Sequence, residues 1–164
     1  MKLLGEGFCW NDLSVGQQFR TFGRTITETD IINFISCTGM LESLFVDREY
    51  RAQHSAIAGR PAPAALVYAL AEGLVLNATG QGTGLAFLHM ELNVERPVLE
   101  GDTIHVEIEV MEVRAASKGG RGLVRTRNRI VNQRGDTAIT YTPLRLMEGR
   151  ATDGSGGSRK VETP

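Results

Sequence analysis

Cysteine is nearly absent from this chain: two residues in 164, Cys9 and Cys37. That is too few for a disulfide framework and lacks metal-site spacing, so the expected setting is a reducing cytoplasm. An excess of one charge is missing too. The 18 Lys and Arg against 19 Asp and Glu leave a formal net charge of -1, which gives no electrostatic case for nucleic acid or an anionic membrane surface. No apolar run is suited to a membrane. The most hydrophobic stretch, Arg60–Gly80, carries Glu72 and is too short and too rich in alanine. The start, MKLLGEGFCW, has one lysine and a short apolar run, unlike a secretory signal. Repeats and dinucleotide fingerprints are lacking. The glycines of Gly80–Gly84 follow a helix and precede a strand, the reverse of what a phosphate-binding loop requires.

What is present reads as one domain with enough chain for a real core. Its organising stretch is Arg60–Gly80. Leu66, Val67, Leu70, Leu74 and Val75 recur at helical spacing, with Ala64, Ala65, Ala69 and Ala71 between them. A helix apolar on nearly every side is expected inside something. Pro61 and Pro63 suit its start, and Asn77 and Gly80 its far end, where a left-handed residue is common. Upstream, a short strand is expected over Phe19–Ile26. Thr27 and Asp30 then resemble a capping box ahead of an amphipathic helix ending near Gly39. Residues 41–60 read as short helical turns over the core. Downstream the period changes to two: Ile104, Val106, Ile108 and Val110 alternate with His105, Glu107 and Glu109, between turns at Glu100–Asp102, Ser117–Gly122 and Gln133–Asp136. The fold class that follows is α+β, an antiparallel sheet of about five strands wrapped around a long central helix. The domain is expected over residues 1–150, with a mobile Gly/Ser-rich tail over 151–164.

Five segments, in order and in register, resemble the MaoC-like acyl dehydratases, a family that includes the (R)-specific enoyl-CoA hydratases. They are DLSVGQQF (Asp12–Phe19), GRTITETDIINF (Gly23–Phe34), FVDREY (Phe45–Tyr50), GRPAPAALVYALAEGLV (Gly59–Val75) and ERPVLEGDTIHVEIEV (Glu95–Val110). The resemblance implies the hot-dog fold and a homodimer or higher oligomer. It also implies an acyl thioester of coenzyme A or acyl carrier protein as ligand, with water as co-substrate and no metal or organic cofactor. In the family an Asp and a His add water to an enoyl thioester, or remove it, while amides at the start of the central helix polarise the thioester carbonyl.

The chain departs from that pattern at the residues that move protons. Met40 stands at the acidic position and Phe45 at the histidine position, and neither can transfer a proton. The usual alanine-histidine-glycine of the helix start reads Ala62-Pro63-Ala64, so only backbone amides around Ala64 and Ala65 would remain for the carbonyl. Glu42 is the ionisable residue left inside the altered motif. Burial would make it a lone acid/base, and the plainer reading is a solvated turn. Met40, Phe45, His54, Arg60, Ala64 and Ala65 complete the candidate substrate site, with Arg60 facing a CoA phosphate or a structural carboxylate. Asp47 and Glu49 read as surface residues, and His54 alone is more commonly incidental. Some hot-dog thioesterases carry a carboxylate on the central helix, but Glu72 lies too far along it, so a buried hydrogen-bonding role is preferred. His89 and His105 fall on polar strand faces. Arg125, Arg127 and Arg129 are expected to pair with Glu107 and Glu109 across the sheet. Three readings follow: a divergent hydratase or dehydratase, a non-catalytic acyl-CoA-binding or partner subunit, and a thioesterase.

Overall fold

The computed structural model describes residues 4–117 and 119–150 of the chain; the expected tail beyond them lies outside the described residues. Thr27 begins the helical part where its sequence context places it. The Asp30 N–H donates to the Thr27 hydroxyl at 3.2 Å, and the Thr27 N–H donates to the Asp30 carboxylate at 2.9 Å. This reciprocal box satisfies two amides that a helix start leaves over. Helix α1 (Glu28–Thr38) buries Ile31 and Ile35 and stops at Gly39, whose φ of 68° would strain a residue with a Cβ. The chain then makes the expected short turns, α2 (Ser43–Val46) and α3 (Arg48–His54). Asp47 caps α3 by accepting the Tyr50 N–H at 2.9 Å.

The central helix, α4 (Ala64–Thr79), begins behind Pro61, Ala62 and Pro63, all buried. Its far end differs from expectation. Gly80 closes the helix at φ -119°, and the left-handed turn falls at Gly82, φ 73°. The Gly80 carbonyl accepts the Thr83 and Gly84 N–H groups, so the chain tightens around that oxygen and needs no left-handed cap. A second difference concerns enclosure. Leu66, Val67, Ala71, Glu72, Leu74 and Val75 are buried, but Ala64, Ala65, Ala69 and Leu76 are exposed. One curled sheet covers one side of a helix, and the alanine side of this one is open.

Among the described residues the sheet has eight antiparallel strands: β1 (Gln18–Arg20), β2 (Arg24–Thr25), β3 (Gly84–His89), β4 (Leu92–Val94), β5 (Thr103–Ala115), β6 (Gly122–Asn132), β7 (Thr137–Tyr141) and β8 (Leu144–Met147). They run β1–β5–β6–β7–β4, with β2 also on β5 and with β8 joining β6 to β3. The five expected passes of chain are there, but three of them break in two. At the first break the Val106 N–H donates to the Thr21 hydroxyl at 2.9 Å, a side chain standing in for backbone. At the last, Thr142 and Pro143 separate β7 from β8, and proline has no N–H for the ladder. The middle break, between β3 and β4, falls at Met90 and Glu91.

Alternation decides which face is core. Ile104, Val106 and Ile108 of β5, with Ile130 of β6, are buried in one cluster with Leu66, Val67, Ala71 and Val75 of α4, while Val110 and Val124 join a second buried cluster with Leu13 and Met147. The opposite face carries a charge ladder, as expected at Arg127 and Arg129, whereas Arg125 meets Glu112 beyond the register shift at Val110/Glu112 instead of Glu107 or Glu109. Arg127 bonds Glu109 at 3.3 Å, Arg129 bonds Glu107, and Arg125 bonds Glu112 at 3.4 Å. These pairs are cross-strand neighbours on β5 and β6, so the arginines serve the sheet.

Candidate functional site

The start of α4 is built to leave amides unsatisfied. The first-turn N–H groups of any helix have no acceptor inside it, and Pro63 at the N-cap has no side-chain acceptor to offer. Ala64 and Ala65 are exposed there. The helix dipole adds partial positive charge at the same place. An oxygen gaining negative charge would be stabilised at this end.

Four residues upstream, Arg60 donates to the Glu28 carboxylate at 2.6 Å. Its Nε is buried without a partner, so the ion pair does not exhaust the guanidinium. Arg60, Arg48 and Arg51 line an open groove of about 500 Å³, with Glu28 and Glu100 as its acidic members. Arg51 also donates to the Leu44 carbonyl at 3.2 Å, tying α3 to α2. Arg48 and Arg51 had no visible partners in the sequence, and only the fold of α3 against the chain before α4 brings them beside Arg60.

The segment from Met40 to Phe45 lies between α1 and α3. Met40 and Phe45 are half-buried, and Glu42 is exposed at the N-cap position of α2, where its side chain caps nothing. His54 is exposed, stacked on Tyr50 with ring centroids 4.7 Å apart. The fold thus gathers Arg48, Arg51 and Arg60 around one groove, and sets His54 on its own helix against Tyr50.

A second polar centre lies inside the core, beneath the middle of α4. Arg145 of β8 donates to Glu72 at 2.5 Å, each side chain only 11% exposed, and Arg145 also lies over the Phe87 ring, 5.5 Å from its centroid. Asn128 and Tyr141, cross-strand partners on β6 and β7, are fully buried. Burial raises the Tyr141 hydroxyl far above its ordinary pKa, and nearby Glu72 adds to the rise. Tyr141 feels both Glu72 and Asn128, yet no hydrogen bond of good geometry joins them. Tyr68 meets the Tyr141 ring edge-on at 5.2 Å, and burial, then Glu72, raises its pKa as well. The preferred role for Glu72, buried and hydrogen-bonded, is the one observed. Asn128 left a trace in the sequence: a polar amide at an inward position of a strand whose other inward residues include Val124 and Ile130.

A family model described as the FAS1-like dehydratase domain region matches residues 14–141. Among solved structures, the chain is similar to the unliganded (R)-hydratase PhaJ1 of Pseudomonas aeruginosa, 28% identical over 88% of each chain with a TM-score of 0.72. A MaoC-like dehydratase of Rhodospirillum rubrum, 24% identical, shares its fold with a TM-score of 0.78, covering 89% of this chain and all of that one (100%). The Mycobacterium tuberculosis protein RV0216, described as a double hot-dog fold, is 25% identical with a TM-score of 0.81. The match covers 92% of this chain and 47% of that one. No curated protein matches the sequence.

Proposed function

Because the chain belongs to the FAS1-like dehydratase region of the MaoC-like hot-dog family, we propose that it binds an acyl thioester of coenzyme A and acts as a divergent hydratase or dehydratase. The observation that carries this reading is the juxtaposition at the start of α4. The first-turn amides of the exposed residues Ala64 and Ala65 suit a thioester carbonyl turning into an enolate oxygen. Just ahead of them, the groove of Arg48, Arg51 and Arg60 suits the phosphates of the carrier. Water is the co-reactant, no metal or organic cofactor takes part, and the free Cys9 and Cys37 fit a cytoplasmic setting.

Proton transfer is the open part of the mechanism, because Met40 and Phe45 occupy the acid and base positions. In this reading Glu42 serves as the lone acid/base, swinging from its exposed position when substrate and a second subunit enclose it. Met40 and Phe45 themselves supply a second reading, a non-catalytic thioester-binding or partner subunit. The solved double hot-dog relative, of which this chain spans about half, fits a fold that works in pairs. A thioesterase is disfavoured, since Glu72 is already paired with Arg145 and lies seven residues past Ala65, about 10 Å along the helix.

The test is hydration of a panel of trans-2-enoyl-CoAs, followed by loss of the enoyl-thioester absorbance, with acyl-CoA binding measured in parallel. The expected result is turnover that drops at least about 100-fold in Glu42→Gln, the scale of one general acid/base. Unchanged turnover in that variant removes Glu42 from the mechanism. Binding without turnover at any chain length establishes the partner reading.

A further inference from the structure

Three guanidiniums meet at the groove ahead of α4, and their commitments differ. Arg60 is paired with Glu28 at 2.6 Å. Arg51 donates from Nη1 to the Leu44 carbonyl at 3.2 Å, which orients a half-buried side chain. Arg48 is exposed and makes no hydrogen bond or ion pair among the described residues. It stands three residues before Arg51 on α3, so the two cations share a helix face. Like charges at that spacing repel, and Arg60 adds a third beside them. An anion between them removes the repulsion.

The rest of the groove narrows the kind of anion. Glu28 and Glu100 line it too, both exposed, so three positive charges face two negative ones. Glu28 is answered by Arg60, whereas the Glu100 carboxylate has no hydrogen bond or ion pair among the described residues. Ala52, Ile57 and Ala58 supply an apolar wall. The complement is a ligand with three parts: a concentrated negative charge for Arg48 and Arg51, a hydrogen-bond donor for Glu100, and a flat face for Ile57. A phosphate monoester carries about −1.5 to −2 charges near pH 7, more than either phosphate of a diphosphate bridge. Guanidinium forks match its oxygens two at a time. Adenosine supplies the remaining parts, since its amino group and ribose hydroxyl donate and its base is flat. At about 500 Å³ the groove is open and large enough for a nucleoside.

We propose that this groove selects the carrier of the thioester: Arg48, backed by Arg51, reads the 3′-phosphate of coenzyme A, and Glu100 faces its adenosine. An acyl group brought by an acidic carrier protein is disfavoured, because a wide carboxylate-bearing surface meets Glu28 and Glu100 as well as the arginines. The proposal rests on the thioester reading given above, but Arg48 has no part in that chemistry. Ala64 and Ala65 hold the carbonyl there, and Arg48 touches only the far end of the carrier. Both ends are within reach of one ligand, since Arg60 lies four residues before Ala64, at most about 14 Å of extended chain.

The experiment is calorimetric titration of the full chain with four probes: octanoyl-CoA, octanoyl-dephospho-CoA (which lacks only the 3′-phosphate), free CoA, and an octanoyl-acyl carrier protein. The expected result is that octanoyl-CoA binds about tenfold more tightly than its dephospho form, the scale of one charge-assisted contact at an open site. In Arg48→Ala octanoyl-CoA falls to the level of the dephospho form, whose own affinity holds. Arg20→Ala removes another exposed and unpaired charge, from β1, and leaves the preference intact. The carrier-protein thioester binds at least about tenfold more weakly than octanoyl-CoA. Equal binding of octanoyl-CoA and its dephospho form overturns recognition of the 3′-phosphate. A preference that survives Arg48→Ala overturns the assignment to Arg48, and a carrier-protein thioester bound as tightly as octanoyl-CoA overturns carrier selection. In each of these, octanoyl-CoA bound more tightly than free CoA keeps the thioester reading. Free CoA that binds as tightly as octanoyl-CoA, with the Arg48-dependent preference present, keeps the groove and sinks the thioester reading instead. No binding of any of the four overturns both.

Discussion

Asp102 is the residue on which the turn between β4 and β5 depends. It is buried, and burial by itself would raise its pKa. The Leu99 N–H, the Gln133 amide and the Arg134 guanidinium all donate to its carboxylate, at 2.9, 2.7 and 3.0 Å, and together hold it below the ordinary value of 3.8. A carboxyl depressed in the folded state binds its proton more readily when unfolded. The stability it contributes is therefore complete above the unfolded value and is lost as pH falls through the lower folded value. Urea midpoints measured from neutral pH down to about pH 3 should fall steeply below about pH 4 in the wild type. Asp102→Asn should be less stable at neutral pH by about 2 kcal/mol and flatter across the acid range. A mutant whose acid slope equals that of the wild type would remove Asp102 from the acid transition. The effect should be sharper than at Asp12 and Asp30, whose carboxyls are also held low, by Arg150 and by Thr27, but on more exposed ground.

Elements were legible in the sequence where the cause is local. Thr27 and Asp30 stand at the spacing their reciprocal hydrogen bonds need, and the structure closes that box. Thr27→Ala should cost about 1 kcal/mol in global stability, read as a lower thermal midpoint with the native circular dichroism kept; no shift would mean that α1 is held by packing of Ile31 and Ile35 alone. The inward positions of β5 and the charge ladder to β6 were legible for the same reason, since a period of two leaves few choices. The strand breaks were not. Thr21 interrupts a strand by lending a hydroxyl to a partner 85 residues away, and no local pattern announces that. The candidate site divides in the same way. The loss of proton-transfer residues at Met40 and Phe45 is written in the sequence, whereas the meeting of Arg48, Arg51 and Arg60, and of Glu72 with Arg145, Asn128 and Tyr141, is made by folding. Glu72 and Arg145 are 73 residues apart, and only the register of β8 on β6 brings them together.

At the scale of the whole molecule, the unfinished edge is β3. It pairs with β8 on one side, and every residue from Gly84 to His89 is exposed. Leu85, Phe87 and Leu88 are 41, 49 and 51% exposed, and no lysine or proline blunts the strand, the usual protections of an edge. The alanine face of α4 is open as well. A second copy extending the sheet across a two-fold axis would meet both features, since such an interface is self-complementary and closes. Light scattering should therefore give twice the 17.9 kDa chain mass. Leu88→Lys, which would set like charges near one another across the axis, should raise the dimer dissociation constant at least about tenfold. A wild type that stays monomeric at high concentration would defeat the pairing, and the consequence would reach the site. Ala64 and Ala65 would then face bulk solvent, where a helix-start amide is worth little to a developing oxyanion. Glu42 would also have nothing to enclose it. Monomeric protein that still turned over enoyl thioesters would place the chemistry away from the start of α4.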